Sequence, residues 1–271
     1  MPEGDTVFLA GKRMDEALAG ALLTKGELRH PRLVETTLTG RTVLGVRSVG
    51  KHLFTRFDDG VSLHTHFKMD GAWHLYRPAD RWRGRSHDVR AVLVTERWTA
   101  VGFRLHDMAL VRTDAEHQLV GHLGPDLLAD GWDDTMAAEA ARRLAGQGPR
   151  ELGDALAEQR VMAGVGNLYK AEVCFLLGVT PWTPVAELPD GTVAKAVELS
   201  HKLLYRNRLR PEQNTTGKLG RGQEHWVYSR TGKPCLRCGT AIRSGQQGSF
   251  VPVRYTWYCP RCQAGPGPGS M

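Results

Sequence analysis

The chain has 271 residues, 41% of them hydrophobic and 24% charged, a composition that indicates a globular protein of two ordinary domains. No run approaches the roughly 18 apolar residues that cross a bilayer, and Glu3, Asp5 and Lys12 interrupt the start as they would not in a signal peptide. We therefore expect a cytoplasmic protein with no membrane partner. The net charge of +7 suits either a nucleic-acid partner or an ordinary basic protein.

The first half of the chain is predicted to be one helix followed by short strands. Asp5 is a favoured N-cap residue, apolar residues then recur at helical spacing, and Gly20 follows, which predicts a helix over residues 6–18. Strand-like runs between about residues 22 and 111 predict an antiparallel sandwich. These runs are residues 42–46, 52–57, 61–66, 72–76, 89–95 and 99–105. The sequence Asp58-Asp59-Gly60 between two of them predicts a hairpin turn.

The second half shows helical periodicity instead. Helices are predicted over residues 135–144, 151–158, 168–177 and 192–205. Residues 207–223 are polar and contain glycine, so they form either a connector or a loop that faces nucleic acid. The final Gly-Pro-Gly-Pro-Gly-Ser-Met is of low complexity and is predicted to be disordered.

Two pairs of cysteines near the C-terminus have the spacing of a metal site. Cys235 and Cys238 form one C-x2-C pair, Cys259 and Cys262 form a second, and 20 residues separate the pairs. Four thiolates at this spacing can bind one zinc ion tetrahedrally, which leaves no open coordination position for catalysis. We therefore predict one structural Zn²⁺ per chain. The fifth cysteine, Cys174, falls in an apolar helix and is predicted to be a core residue.

Three other places could bind the phosphates of a nucleic acid. Two glycines and Asn167 precede a predicted helix, whose free backbone N–H groups could accept an anion, although an ordinary helix-helix corner has the same pattern. Arg254 lies on a predicted strand that leads into the second cysteine pair, where it could contact phosphate or simply be solvated. Gly50-Lys51 forms a turn before an apolar strand, and a lone lysine in such a place is ordinarily solvated.

The N-terminal sequence Pro2-Glu3-Gly4 could form a reactive centre. If Met1 is removed, Pro2 gains a free secondary amine with a pKa of roughly 8. That amine could attack a carbonyl carbon to form an iminium ion, and Glu3 could act as its acid-base partner. The alternative is that Pro2 is only the residue that follows the start codon.

Together and in this order, the motifs resemble the formamidopyrimidine-DNA glycosylase and endonuclease VIII family of base-excision repair enzymes. The resemblance includes Pro2-Glu3-Gly4, Gly50-Lys51, Gly124-Pro125-Asp126, residues 159–169 and residues 235–263. It implies an α+β fold with two domains. The first is an N-terminal antiparallel β-sandwich with a leading helix, and the second is a helix–two-turn–helix domain that ends in a four-cysteine zinc finger. The implied division is a catalytic domain over residues 1–122, a helical DNA-binding domain over 123–224, the zinc finger over 225–264 and a disordered tail over 265–271.

The resemblance also implies an activity, that of a bifunctional DNA glycosylase and AP lyase. Pro2 would attack C1′ of the damaged nucleotide, and Glu3 would protonate the deoxyribose ring oxygen. Successive β- and δ-elimination would then cleave the strand. Lys51 would contact the phosphate that flanks the lesion, while Asn167 and Arg254 would grip the backbone. The implied partner is damaged DNA, duplex or single-stranded, bound by a monomer that associates with the nucleoid only through DNA.

Three features of this chain can be set against the family pattern, and the last of them bears on the substrate. Met69 matches the position of an apolar side chain that fills the space left by an extruded base. Asp5 and Thr6 stand where the family often has Pro and Glu. Residues 102–107 lack the Arg-Arg-Phe-Gly wedge loop of the purine-specific branch, so the chain looks closer to endonuclease VIII and we expect oxidised pyrimidines as substrates. The alternatives are oxidised purines such as 8-oxoguanine, or a non-catalytic zinc-finger protein that binds damaged DNA.

Overall fold

The computed structural model describes residues 2–248 and 254–269, and the chain packs as two compact units, residues 1–122 and 123–271. Within the described ranges, no helix is both long enough and apolar enough to span a bilayer. The elements of the first unit are α1 (Gly4–Leu18), β1 (Lys25–Leu28), β2 (Val43–Val49), β3 (His52–Phe57), β4 (Val61–His66), β5 (Ala72–Tyr76), β6 (Val89–Val94), β7 (Thr99–Phe103), β8 (Asp107–Arg112) and α2 (His117–Val120).

The first unit is an antiparallel sandwich with a leading helix, as predicted. One sheet has the strand order β1-β6-β7-β5, and the other has the order β2-β3-β4-β8. A single cluster of buried apolar side chains joins both sheets to α1. The bounds of β3, β4 and β5 match the predicted runs, because their apolar residues are bounded by clear turn residues. β1 is a strand that the sequence did not predict, since its residues Lys-Gly-Glu-Leu include a single large apolar side chain.

Helix α1 begins two residues earlier than predicted, and Asp5 is not its N-cap. The N-cap is Glu3, whose carbonyl accepts the first helical hydrogen bond from Val7 N at 3.1 Å. Asp5 therefore lies within the first turn, where only 1% of it is exposed. Gly11 lets the helix lie close to the sheet, because a Cβ there would stand 2.9 Å from Leu53 Cδ1.

The second unit contains the predicted helices and a hairpin near the cysteines. Its elements are α3 (Asp134–Ala145), α4 (Leu152–Ala157), α5 (Asn167–Leu177), α6 (Thr192–Asn207), β9 (Arg243–Gln247) and β10 (Arg254–Tyr258). The helix ends differ from the predicted ones by at most two residues. α5 is the centre of this unit and its side chains are buried over most of its length. A smaller apolar cluster that includes Cys235 and Cys259 packs against its last turns.

The predicted disorder of the C-terminal tail is wrong over residues 265–269. Thr180 Oγ1 donates a hydrogen bond to Pro266 O at 2.7 Å, and a Cβ on Gly245 would collide with Pro268. A β-bridge between Val179 and Ala264 lays the segment against the protein, which composition alone does not reveal. Residues 270 and 271 lie outside the described residues. The division of the second unit into a helical domain and a zinc finger stays a prediction.

Candidate active site and nucleic-acid interface

The predicted reactive residues stand at the start of α1. Pro2 is partly buried, and Glu3 is fully buried as the N-cap. A carboxylate is stabilised at this end of a helix by the partial positive charge of the helix dipole, and Asp5 adds a second acid to the same turn. The structure therefore places two buried acids within the three residues that follow Pro2. Met1, whose removal the predicted chemistry requires, lies outside the described residues.

Lys51 stands at the tip of a tight hairpin between β2 and β3. Val49 pairs with His52 across the turn, so Gly50 and Lys51 form a two-residue loop. Gly50 has a φ of 56°, which is the left-handed region that glycine adopts without strain. This geometry holds the backbone of Lys51 in a fixed place at the end of the sheet.

A cluster of histidines lies beside this hairpin, and sequence reasoning missed it. His52 Nδ1 and His64 Nε2 share a hydrogen bond of 2.8 Å, and the rings of His52 and His66 meet edge to face with centroids 4.9 Å apart. Burial, followed by the charges of neighbouring histidines, lowers the pKa of His52 to about 3. Burial lowers the pKa of His66 to about 4, with further lowering by Lys68 and Lys51. The cluster is therefore neutral at pH 7.

The available signal for this cluster was the spacing of its members. His64 and His66 are two residues apart on a predicted strand, so they share one face of the sheet. His66 pairs in register with His52 of the adjacent strand. Neutral imidazoles can each donate one hydrogen bond and accept another. The cluster thus adds polar groups of both kinds next to the positive charge of Lys51.

Met69 is an exposed apolar side chain on a braced turn, with 65% of its surface accessible. The charged residues on either side of it are both paired. Lys68 Nζ lies 2.8 Å from Asp107 Oδ2, and Asp70 Oδ2 lies 3.0 Å from Arg104 Nε. The two ion pairs tie the Met69 turn to the start of β8 and to the connection that precedes it. The charges that flank Met69 are therefore compensated within the protein.

In the second unit, the turn before α5 is held by one side chain that the sequence did not reveal. Gln159 Nε2 donates to Val165 O at 2.8 Å, and its Oε1 accepts from Gly164 N at 3.1 Å. The N–H of Gly124 donates to the backbone carbonyl of Gln159 at 2.8 Å. This places the Gly-Pro-Asp motif against the glycine turn, and Asn167 becomes the first residue of α5.

The structure brings two of the predicted DNA-binding residues together. Asn167 Nδ2 donates to Tyr255 O at 3.0 Å, and Tyr255 follows Arg254 at the start of β10. Asn167 is 6% exposed, and its buried Oδ1 has no hydrogen-bond partner among the described residues. Arg254 is exposed at the end of the hairpin.

The four predicted cysteine ligands converge. Their sulfur atoms all lie within 4.8 Å of one another, with separations of 4.0 Å between Cys235 and Cys262 and 3.5 Å between Cys238 and Cys259. A tetrahedral ion with metal–sulfur bonds of about 2.3 Å needs sulfur separations of about 3.8 Å, so the cluster can hold a metal ion. Cys174 is confirmed as a core residue, since it is fully buried and burial raises the pKa of its thiol to about 12.

Glu172 of α5 is a second residue that sequence reasoning missed. It is fully buried, and its carboxylate accepts hydrogen bonds from the backbone N–H groups of Trp226, Val227 and Tyr228 at 2.8–2.9 Å. The hydroxyl of Thr215 also donates to it. One buried carboxylate thus fixes both ends of the segment over residues 215–228, which leads into the cysteine region. An acid on an otherwise buried helix was the signal available in the sequence.

Comparisons with known proteins agree with the fold and with the family that the sequence motifs indicate. Residues 1–115 match the family model described as the formamidopyrimidine-DNA glycosylase N-terminal domain. The chain is 51% identical over 269 residues to "Probable endonuclease 8 2" of Streptomyces coelicolor, a match that covers 99% of this chain and 96% of the relative. It is 40% identical over 263 residues to "DNA-(apurinic or apyrimidinic site) lyase Nei2" of Mycolicibacterium smegmatis, with coverage of 97% and 99%.

Solved structures show the same fold. Lactococcus lactis Fpg in complex with DNA that contains an abasic site superimposes with a TM-score of 0.80 at 23% identity, over 97% of this chain and 100% of that one. The sequence relatives cover nearly the whole chain, and those named endonuclease 8 2 are more similar to it than a formamidopyrimidine-DNA glycosylase at 31% identity. This chain belongs to the formamidopyrimidine-DNA glycosylase and endonuclease VIII family, in its endonuclease VIII branch.

Proposed function

We propose that this protein is a bifunctional DNA glycosylase and AP lyase of base-excision repair. The observation that carries the proposal is the start of α1, where Pro2 directly precedes a fully buried Glu3 at a helix N-terminus. Binding alone requires neither residue at that place. The relative named as an AP lyase, which is 40% identical over almost the whole chain, supports the same chemistry.

The chemistry begins at the sugar of the damaged nucleotide. The Pro2 amine attacks C1′ and passes its N–H proton to the Glu3 carboxylate, the bond from C1′ to the base breaks, and the departing base takes up a proton from water. Glu3 donates a proton to the ring oxygen, so the sugar opens as an iminium ion on Pro2. The iminium acidifies C2′. Loss of the C2′ proton expels the 3′ phosphate, loss of the C4′ proton then expels the 5′ phosphate, and hydrolysis of the iminium frees Pro2.

The remaining site residues hold the DNA. Lys51 binds the phosphate that flanks the lesion, and the neutral histidine cluster beside it offers further hydrogen bonds. Asn167 and Arg254 bind backbone phosphates. The hydrogen bond from Asn167 to Tyr255, the residue that follows Arg254 on β10, supports this shared role. Met69 fills the space left by the extruded base, and its exposure on a braced turn suits that role. The enzyme acts as a monomer in the cytoplasm.

The metal has a structural role in this proposal. Cys235, Cys238, Cys259 and Cys262 bind one Zn²⁺, since a four-sulfur donor set of this size suits that ion. When bound, the zinc contributes folding energy to the cysteine region and leaves no open position for chemistry. It therefore holds β9 and β10, and with them Arg254, in place.

Oxidised pyrimidines are the proposed substrates. The relatives named endonuclease 8 2 support this choice, as does the short connection between β7 and β8, which spans residues 104–106. Release of thymine glycol, dihydrouracil and 8-oxoguanine from matched duplexes tests it. We expect the two pyrimidine lesions to be released faster, and preferential release of 8-oxoguanine would contradict the assignment.

Borohydride trapping tests the mechanism. The protein is incubated with DNA that contains an abasic site, and borohydride reduces any iminium to a stable covalent adduct. We expect an adduct with the chain that lacks Met1, a much weaker one with Pro2→Gly, and none with a chain whose uncleaved N-terminal extension blocks the amine. The extended chain is the matched control because it retains the Pro2 ring. Absence of an adduct from folded, DNA-binding wild-type protein would exclude the proposed mechanism.

A further inference from the structure

The connection between β5 and β6, residues 77–88, is a basic segment that the proposed site does not use. We call it the arginine loop. It contains four arginines, and three of them recur at alternate positions as Arg81, Arg83 and Arg85. All three are exposed. No separate segment of this length in the first unit has as many arginines.

The backbone of the arginine loop is fixed to the sheet beneath it. The hydroxyl of Tyr76 accepts from Arg83 N at 3.1 Å and donates to Arg83 O at 3.4 Å. A Cβ on Gly84 would lie 2.6 Å from the Phe103 ring, so glycine is needed for the loop to lie so close. Trp82 packs against an apolar cluster that includes Tyr76 and Phe103 and is separate from the main core. The loop therefore presents its arginines from a defined place.

The acidic residues of the arginine loop do not neutralise these arginines. Asp80 accepts a hydrogen bond from the backbone N–H of Arg77 at 2.9 Å, and Asp88 lies 3.5 Å from Arg104. No described carboxylate lies within 4.0 Å of the guanidinium groups of residues 81, 83 and 85. Three positive charges without an ion-pair partner among the described residues therefore lie within five residues of one anchored segment.

The C-terminal end of the arginine loop and the turn that carries Met69 both contact Arg104. Arg104 N donates to Asp88 O at 2.7 Å, and the same residue pairs with Asp70 through its side chain. The loop and the Met69 turn are thus held by one arginine. A duplex engaged by Met69 would meet positive charge if it continued across this surface of the first unit.

We propose that the arginine loop is a second DNA-backbone surface, which binds phosphates beyond those that flank the lesion. The inference rests on the proposed function, since it takes Met69 to lie at the damaged nucleotide. Guanidinium groups bind phosphate oxygens through paired N–H groups, and each phosphate neutralised releases condensed counterions. The loop therefore adds affinity on long duplexes without taking part in the chemistry.

The test compares two triple variants of the full chain. One is Arg81→Gln, Arg83→Gln and Arg85→Gln, and the matched control removes three exposed arginines elsewhere in the first unit: Arg13→Gln, Arg32→Gln and Arg97→Gln. Both variants lose the same net charge. Binding is measured over a range of salt concentrations to a duplex with a central tetrahydrofuran, which mimics an abasic site, in a long form and in a form that covers only the lesion and its neighbours.

We expect the loop variant to lose affinity for the long duplex by more than about tenfold, with a decrease of about 2–3 in the slope of log affinity against log salt. The control variant should keep the wild-type slope. On the short duplex the two variants should bind alike, and borohydride trapping on abasic DNA of that length should match wild type. If the loop triple variant is not folded, Arg81→Gln alone should lower the slope by about 1.

Equal slopes for the loop variant and wild type on the long duplex would overturn the inference, as would equal losses in both triple variants. Tighter arginine-dependent binding to an acidic peptide or to RNA, with an unchanged slope on DNA, would also overturn it. Failure of wild-type protein to form a borohydride adduct would instead contradict the proposed function. The two failures are therefore distinguishable.

Discussion

The start of α1 in the first unit and the cysteine region of the second unit are held by different physical means. In the first unit, 18 buried apolar residues form one cluster that joins both sheets to α1. The second unit has a core of 19 buried residues of its own, but the separate cluster around the cysteines has six buried members, and two of these are cysteines of the metal site. A core that small cannot supply much folding energy by itself. We infer that the residues at the start of α1 depend on apolar packing, whereas Arg254 depends on the metal.

Apart from Glu3 and Asp5 at the start of α1, each unit has one buried carboxylate among the described residues, and the partners of the two differ. Glu116 in the first unit is bound by Arg47 and Arg56 at 2.7–2.8 Å, and both arginines are partly exposed. Glu172 in the second unit is bound by backbone N–H groups. The first arrangement joins strands that the apolar core already holds. The second fixes a segment without regular structure, so the protein relies on it more heavily.

Loss of the metal should have the largest effect, and it should be confined to the second unit. Cys238→Ser leaves three thiolates, and structural zinc sites contribute on the order of 10 kcal/mol of folding energy. We expect loss of the bound metal, rapid amide exchange over residues 231–264 and DNA binding weakened by about tenfold or more. Amide protection in β3 and β4 should be unchanged. Metal analysis and hydrogen-exchange mass spectrometry measure these effects.

Cys174→Ser is the control for this substitution. It also replaces a cysteine of the second unit, a fully buried one that is not part of the metal cluster. It should keep the metal and lose only the stability that a buried hydroxyl costs. Stoichiometric metal and full protection of the finger in Cys238→Ser would show that the cysteines are not the main support of this region.

Loss of the buried carboxylate in the second unit should have an intermediate effect. Glu172→Gln keeps the size of the side chain but puts an NH2 group among N–H donors. We expect the free energy of unfolding of this unit to fall by about 3–5 kcal/mol, because backbone N–H groups lose a charged acceptor in a buried place. Urea unfolding followed by amide exchange at residues 226–228 measures the loss.

The exposed Glu187 of the same unit provides a matched control. Glu187→Gln removes the same charge and should leave both the stability and the exchange pattern unchanged. If Glu172→Gln behaves like this control, the segment before the cysteines is held by other contacts and the contrast between the two units is weaker than proposed.

The elements that could be predicted from the sequence are those with local signals. β3, β4 and β5 have apolar runs between turn residues, and their bounds agree with the prediction. The predicted start of α1 was wrong because Asp5 is a favoured N-cap by type, whereas burial of this acid within the first turn is a tertiary effect. The predicted disorder of the tail was wrong over residues 265–269 for a related reason, since the contacts of this segment come from the loop after α5 and from β9.

The site was predictable where chemistry requires a fixed spacing, as it does for the four cysteines. Residues that act by supporting others gave no such signal. Gln159 braces the glycine turn through its amide, and Glu172 organises a segment more than 40 residues away in the chain. Both depend on which backbone groups the fold leaves unpaired, and that is decided only when the elements pack.

The titration of His52 alone should produce the smallest effect, and it should affect the first unit. In the folded protein the pKa of His52 is about 3, against about 6.5 in an unfolded chain. Below pH 6.5 the unfolded chain therefore binds a proton that the folded chain does not, so stability falls as the pH falls. Burial by itself raises the pKa of Glu116, but hydrogen bonds from Arg56, Ser62 and Arg47 outweigh burial and lower the pKa to about 2. Its contribution is lost only below about pH 4.5.

The two groups can thus be separated by pH. Between pH 7 and pH 5 we expect His52 to remove about 1–2 kcal/mol from the free energy of unfolding, measured by urea titration with amide exchange in β3. His52→Gln should reduce this dependence by the share of His52 and leave that of His64 and His66, whose pKa values are also lowered, whereas the exposed His87→Gln should not reduce it. An unchanged slope in His52→Gln would mean that the histidine cluster takes up protons in the folded state. In that case the cluster would add positive charge beside Lys51 in mild acid, and DNA affinity should rise over the same range of pH.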